Sequence, residues 1–265
     1  MKIYISADIE GVTGSTNWCE TEKGEDCYEY YANQMTLEVK AACIGANNAG
    51  VTEIMVKDAH DSARNIDHRL LPENTKLIRG WSGDTFSMVQ ELDESYDALM
   101  YIGYHSAAGR DTNPLSHTMT TYLDYVKINN HIASEFLIHS YIAAYLNVPV
   151  IFLSGDKGLC EDVKDFNENI ETVAVKEGRG NSTINIHPNL ALKLIEESVQ
   201  KALLKDLLTC KIKLPEEFEI EIRYKEHKHA YKNSFYPGVA KIDENTISFK
   251  SNDYMEVLRM MNFLI

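Results

Sequence analysis

The chain is short of positive charge, of long apolar runs and of paired cysteines. Lys and Arg number 26 against 40 Asp and Glu, a formal charge of −14 at pH 7 over 265 residues. That balance argues against nucleic acid as a partner, because phosphates demand a basic surface, and it equally disfavours docking on anionic lipid. No apolar run approaches the roughly 20 residues of a membrane span. Cys19, Cys27, Cys43, Cys160 and Cys210 form an odd set without a CxxC spacing, so neither a disulfide framework nor a thiolate zinc site is expected. The first strand is expected within two residues of Met1, so no signal peptide is expected. A reduced cytoplasm is the expected location. Internal repeats and low-complexity tracts are also absent. Hydrophobic content of 44% and charged content of 25% are ordinary for a globular chain, with length for one large domain or a main domain and a smaller one.

What is present begins at once. Residues 2–11 read Lys-Ile-Tyr-Ile-Ser-Ala-Asp-Ile-Glu-Gly, a buried strand by its β-rich apolar run, with Gly11 marking its end. Side chains repeat every two residues along a strand, so Asp8 and Glu10 project from one side at its carboxyl end. Two carboxylates held that close repel unless a cation lies between them; an acidic turn facing water is the alternative. The pattern recurs. The run 52–58 closes on Ala59-His60-Asp61, and the run 98–104 closes on His105. In an open α/β sheet such strands are parallel and ligands bind outside their carboxyl ends. Carboxylates and imidazoles mixed at that edge suit zinc or a similar divalent ion.

Between these strands the polar stretch Thr13–Asp26, carrying Trp18, is long for a plain connection and suggests a lid or interface arm. Residues 27–49 predict a helix capped by Gly50. Residues 76–79 suggest a short strand and 85–92 a short helix. From Ser116 a β-hairpin is expected, with a strand over 118–128 turning at Asn129-Asn130. Ser134 then N-caps a helix running to about Leu146. Strands follow at 148–153 and about 171–176, and Pro188 starts a helix to about Leu207. The alternation of Phe218, Ile220 and Ile222 predicts a half-buried antiparallel strand over 217–224, with another at 241–250 and a closing helix over 252–264. The expected architecture is an α/β domain with a mostly parallel sheet and flanking helices over residues 1–187. A smaller α+β subdomain would occupy 188–265.

Two further residues could carry chemistry. Glu135 opens the helix after the hairpin, where an acid is also favourable simply by the helix dipole. His117 follows His105 at the mouth of the same sheet edge, though lone histidines are usually structural. His68, His139, His187, His227 and His229 have no comparable strand-end context.

Taken together, Ser6-Ala7-Asp8-Ile9-Glu10-Gly11, Asp58-Ala59-His60, Gly103-Tyr104-His105, Ser116-His117-Thr118-Met119 and Glu135 closely resemble the zinc D-aminopeptidases of the DppA (dipeptide transport protein A) family. The pattern Ser-x-Asp-x-Glu-Gly is met in full at Ser6–Gly11, and the likeness extends over most of the chain, including the Pro237-Gly238 turn. The resemblance implies that Asp8, Glu10, His60, His105 and Glu135 ligate two zinc ions, with Asp8 bridging, and that His117 is the catalytic histidine. It also implies an α/β metal-binding domain with a smaller second domain, and ring-shaped homo-oligomers, decamers of two stacked pentamers. The loop Thr13–Asp26 and the helix from Glu135 diverge, which bears on substrate preference.

Charge agrees with that ligand set: three carboxylates supply about −3 against +4 from two zinc ions, and the remainder favours a bridging hydroxide. The expected activity is removal of an N-terminal residue, D-configured by resemblance, from short peptides or amides, with cell-wall peptides a natural source. His117 could act as oxyanion donor, proton shuttle or nucleophile. A phosphoesterase is the first rival; no Gly-rich phosphate cradle accompanies the acids, although Arg64 and Arg79 are available. A non-enzymatic metal or peptide carrier is the second, and it would have no need of His117.

Overall fold

The computed structural model describes Met1–Ile265. Its strands are β1 (Lys2–Ala7), β2 (Glu53–Asp58), β3 (Thr75–Ile78), β4 (Ala98–Tyr104), β5 (Leu123–Ile128), β6 (His131–Ile132), β7 (Val150–Asp156), β8 (Glu171–Arg179), β9 (Ser182–Asn185), β10 (Phe218–Tyr224), β11 (Val239–Lys241) and β12 (Thr246–Ser251). Its helices are α1 (Tyr28–Asn48), α2 (Glu135–Tyr145), α3 (Lys157–Phe166), α4 (Pro188–Leu203), α5 (His227–Asn233) and α6 (Tyr254–Leu264).

Seven strands form one sheet in the order β3-β2-β1-β4-β7-β8-β9. All its pairings are parallel except that of β9 with β8. The chain starts in the middle at β1, builds outward through β2 and β3, then returns to the other side of β1 to lay down β4. The reversal between β1 and β4 opens a crevice at the carboxyl ends of those strands, where ligands bind in sheets of this kind. The backbones there are drawn together: Asp8 N donates to Ile102 O and Gly11 N to Gly103 O, both at 2.8 Å. A Cβ on Gly11 would lie 1.8 Å from Tyr104 O, and Gly103 holds a φ of +71° against Asp8 O. Only glycine fits either place.

Helices cover both faces of this sheet. The apolar sides of α1 and α4 pack on one face, around Ile3, Ile5, Val56 and Met100. On the other lie α2, α3 and the second sheet, around Tyr4, Tyr101 and Leu153. Every residue of β4 and β7 is therefore buried. The second sheet is antiparallel in the order β11-β12-β10-β5-β6, and β10 alternates as its sequence predicts.

Several expectations are revised. The sheets do not divide at residue 187: β5 and β6, from the first half of the chain, pair in the second sheet, while α4 packs on α1. Residues 118–122 are not strand. Thr118 instead sits beneath Ala133 through Oγ1–H···O, and Met119 takes a φ of +61°. The strand begins at Leu123, and its long partner is β10 rather than the two-residue β6. The strand expected over 241–250 is two strands, β11 and β12, paired with each other. The expected helix over 85–92 is a single 3₁₀ turn at Ser87–Val89. Helix α3 was not anticipated; Asp156 both ends β7 and caps it by accepting from Leu159 N, so the two elements abut without a turn signal.

Candidate metal centre

All six residues singled out in the sequence meet at the crevice between β1 and β4. Asp8 and Glu10 lie in the turn after β1, His60 after β2 and His105 after β4. His117 is in the segment leading to β5, and Glu135 is the first residue of α2. Asp8 sits in the middle. Its Oδ1 lies 3.3 Å from His60 Nδ1 and its Oδ2 3.4 Å from His105 Nε2. Glu10 Oε2 is 3.0 Å from the same His60 nitrogen. On the other flank Glu135 Oε2 is 3.3 Å from His105 Nε2, and Glu135 Oε1 is 3.6 Å from His117 Nε2. His105 and His117 stack with centroids 4.3 Å apart.

Each imidazole has one nitrogen committed to the backbone. His60 Nε2 donates to Thr21 O (2.8 Å), His105 Nδ1 to Ser106 O (2.9 Å) and His117 Nδ1 to Leu115 O (2.9 Å). The opposite nitrogen faces the carboxylates and, on losing its proton, would offer its lone pair to a metal, the arrangement by which proteins prepare histidine for a metal. Glu10 Oε2 and His105 Nε2 are buried without any hydrogen-bond partner. Two orphaned ligating atoms within a cluster of three buried carboxylates fit a cation and fit little else.

The electrostatics say the same. Burial and the neighbouring Glu10 push the Asp8 carboxyl well above its ordinary range. Burial opposes charge on His105 too, but Glu135 and Asp8 outweigh it and raise its pKa to about 10. The carboxylates thus demand positive charge wherever they can find it. His117 is the exception: burial and the adjacent His105 lower its pKa.

Polar groups behind the crevice hold these ligands in place. Lys176, on β8 and buried, donates to Ser15 O (2.6 Å), to Ser15 Oγ (2.8 Å) and to Glu10 O. Asn113 joins Glu10 O (3.1 Å) to Asp156 Oδ2 (3.0 Å), and Asp156 accepts from Ser106 N beside His105. His139 has a part that its sequence context did not reveal. One helical turn after Glu135, it donates to Glu135 O (2.7 Å) and accepts from Met88 N (3.4 Å). The i, i+4 spacing from Glu135 was the available signal, since it puts both on one helix face.

A cavity of about 590 Å³ opens above the cluster, with Asp8, Glu10, His60, His117 and Glu135 in its lining. The loop 13–26 contributes Trp18, Thr21, Glu22 and Lys23 to its wall, and Trp18 meets His117 edge to face at 5.3 Å. Arg64 and Arg79 do not line it, which removes the cations a phosphoesterase reading relied on.

Comparison with known proteins agrees with this geometry. A family model described as D-aminopeptidase matches residues 1–263. A D-aminopeptidase of Bacillus subtilis (strain 168) is 29% identical over 265 residues, covering 98% of this chain and 95% of that protein. A solved structure from Bacillus subtilis, the Zn-dependent D-aminopeptidase DppA, described as a self-compartmentalizing protease, superposes with a TM-score of 0.92 at 27% identity. That match covers 98% of this chain and 95% of the other. With the family model spanning nearly its whole length and the motif residues gathered in one crevice, the chain belongs to the D-aminopeptidase family.

Proposed function

We propose that the crevice holds two zinc ions, one between Asp8, Glu10 and His60 and the other between Asp8, His105 and Glu135, and that the protein removes D-configured N-terminal residues from short peptides or amides. The observation that carries this reading is the division of the Asp8 carboxylate, one oxygen toward His60 and the other toward His105. A carboxylate so placed can serve two ions, and each flank adds its own acid and imidazole. Bound zinc supplies Lewis acidity and an activated water at neutral pH.

His117 has the geometry of a proton carrier. Its Nδ1–H is occupied by Leu115 O, so the neutral ring presents a lone pair at Nε2 to the reacting bond. It can take a proton there and return it to the departing amine. Oxyanion donation would require the imidazolium before reaction, which burial opposes. The loop 13–26 closes one side of the cavity.

The self-compartmentalizing relative supports a homo-oligomer, here proposed as a ring with the crevice facing an inner chamber. Five free cysteines suit a reducing cytoplasm. No helix is long and apolar enough to cross a membrane. The test is metal analysis of purified protein combined with a panel of D- and L-aminoacyl amides. About two zinc equivalents per chain and a preference for the D series are expected. A protein equally active without zinc, or selective for L substrates, would refute the reading.

A further inference from the structure

Both tryptophans of the chain, Trp18 and Trp81, line the one cavity above the carboxylate–histidine cluster. Trp81 keeps 42% of its surface exposed, an apolar area that the fold leaves uncovered at the site rather than in the core. Yet it is held firmly. Its Nε1–H donates to Asp61 O at 2.7 Å, next to His60. Beneath its ring lies the Lys57 ammonium, 3.8 Å from the ring centroid.

Lys57 is the informative residue. It is fully buried, an expensive place for an ammonium, and it makes no ion pair. Its Nζ contacts are the Trp81 ring and Gly80 O at 2.7 Å, the carbonyl that immediately precedes Trp81. A buried ammonium whose hydrogen bond and cation–π contact fall on one exposed indole and the peptide before it fixes that indole. Trp81 is therefore a pre-organised platform, which loses little further freedom when something stacks on it. The same cavity also carries the apolar side chains of Ala59, Met88 and Met119, among a mostly polar lining.

We propose that Trp81, fixed by Lys57, forms a subsite for a bulky apolar or aromatic side chain flanking the scissile bond. The preferred substrates are then short peptides carrying such a side chain rather than peptides of small residues alone. This rests on the aminopeptidase reading. The occupant follows from continuity with the cluster: a peptide whose reacting bond lies over Asp8 and His117 must place its flanking side chains against these walls.

The test compares D-Ala-Gly, D-Phe-Gly and D-Ala-D-Phe with the zinc-loaded protein. One of the two Phe peptides should show a lower KM than D-Ala-Gly. Trp81→Ala should raise that KM roughly ten-fold more than it raises the KM of D-Ala-Gly, the scale of one lost aromatic contact. Lys57→Met should produce a smaller change of the same kind, about two- to five-fold. If either variant fails to fold, Trp81→Leu keeps an apolar wall without the ring and should give an intermediate selectivity.

A second measurement does not depend on turnover. In a Trp18→Phe, His117→Ala background Trp81 is the only tryptophan and turnover is suppressed, and D-Ala-Gly, D-Ala-D-Phe and D-Phe-Gly are titrated into the zinc-loaded protein. A saturable change in emission with a Phe peptide, absent with D-Ala-Gly, supports the subsite. Equal KM changes for all three peptides in Trp81→Ala, or no emission change with any peptide, would overturn it. If no peptide is hydrolysed but the emission still responds, the aminopeptidase reading fails, and with it the substrate subsite, while Trp81 remains a binding platform for an aromatic side chain.

Discussion

The two sheets treat polar residues in opposite ways. In the parallel sheet, covered on both faces, Ser6, Lys57, Ser154 and Asp156 are fully buried within strands. Each had to find partners inside the protein: Ser6 with Met88 O and Tyr104 OH, Asp156 with Ser106 and Asn113. In the antiparallel sheet the polar residues of β10 turn outward. There they make solvent-facing pairs such as Lys250–Glu219 at 2.9 Å and Arg223–Asp243 at 3.0 Å. Burial raises the cost of an unmet polar group and so the value of a met one. Polar residues in the first sheet therefore carry the site, and those in the second decorate a surface.

The contrast can be broken most severely at the strand crossing. Gly11→Ala places a Cβ on the Tyr104 carbonyl, and rigid backbone lies on both sides. A loss of at least about 4 kcal/mol is expected, measured by denaturant unfolding, or no folded protein at all. An alanine in the outward-facing half of β10 should show nothing comparable.

Removal of metal comes next. Prolonged chelation should abolish hydrolysis, and added zinc should restore it. Asp8→Ala should deplete both metal positions and Glu135→Ala one, as read by metal analysis. Full occupancy in Asp8→Ala would remove that carboxylate from the ligand set.

His117→Ala should keep its zinc and lose about 10²–10⁴-fold in kcat, the usual worth of a positioned acid–base group. A variant that loses zinc instead would make His117 a ligand, in keeping with its closeness to His105 and Glu135.

Lys176→Met leaves the Glu10 and Ser15 carbonyls short of a donor. Zinc affinity should fall about 10–100-fold, as for other groups that orient metal ligands. Burial lowers Lys176 to about 8 in the fold, against about 10.4 in the unfolded chain. Between those values the unfolded state binds more protons, so this residue's contribution to stability rises with pH. The pH dependence of unfolding between 8 and 10.4 should flatten in the variant.

The smallest effect belongs to the second sheet. Glu219→Ala removes an exposed pair with Lys250, and a change within about 0.5 kcal/mol is expected. A larger loss would show that the antiparallel sheet's surface pairs matter more than their exposure suggests.

Local pattern revealed most of the elements because each was consistent along its own length. β1, β2, β4 and β10 could be read from apolar runs and alternation, and α2 from Ser134, whose side chain does accept from Leu137 N. Where reading failed, the cause lay elsewhere in the chain. The segment 118–122 is β-rich, but the contacts of Thr118 with Ala133 and of Met119 N with Glu135 bend it into the site. The helix α3 follows β7 with no intervening loop, so no boundary residue announced it.

The sequence by itself determined which residues stand at strand ends, because the two-residue and 3.6-residue periods are local and need no partner. It thereby singled out Asp8, Glu10, His60 and His105, whereas Glu135 and His117 were assigned to the site only through the family resemblance. Their distances, the split of Asp8 between two imidazoles, and the tautomers set by Thr21, Ser106 and Leu115 carbonyls were decided only in three dimensions. So were the burial of Lys57 and Lys176 and the bridging part of His139. The reason is separation along the chain: Asp8 and Glu135 meet because strand order reverses between β1 and β4 and α2 is led back across the crevice, and nothing in either local pattern specifies that meeting.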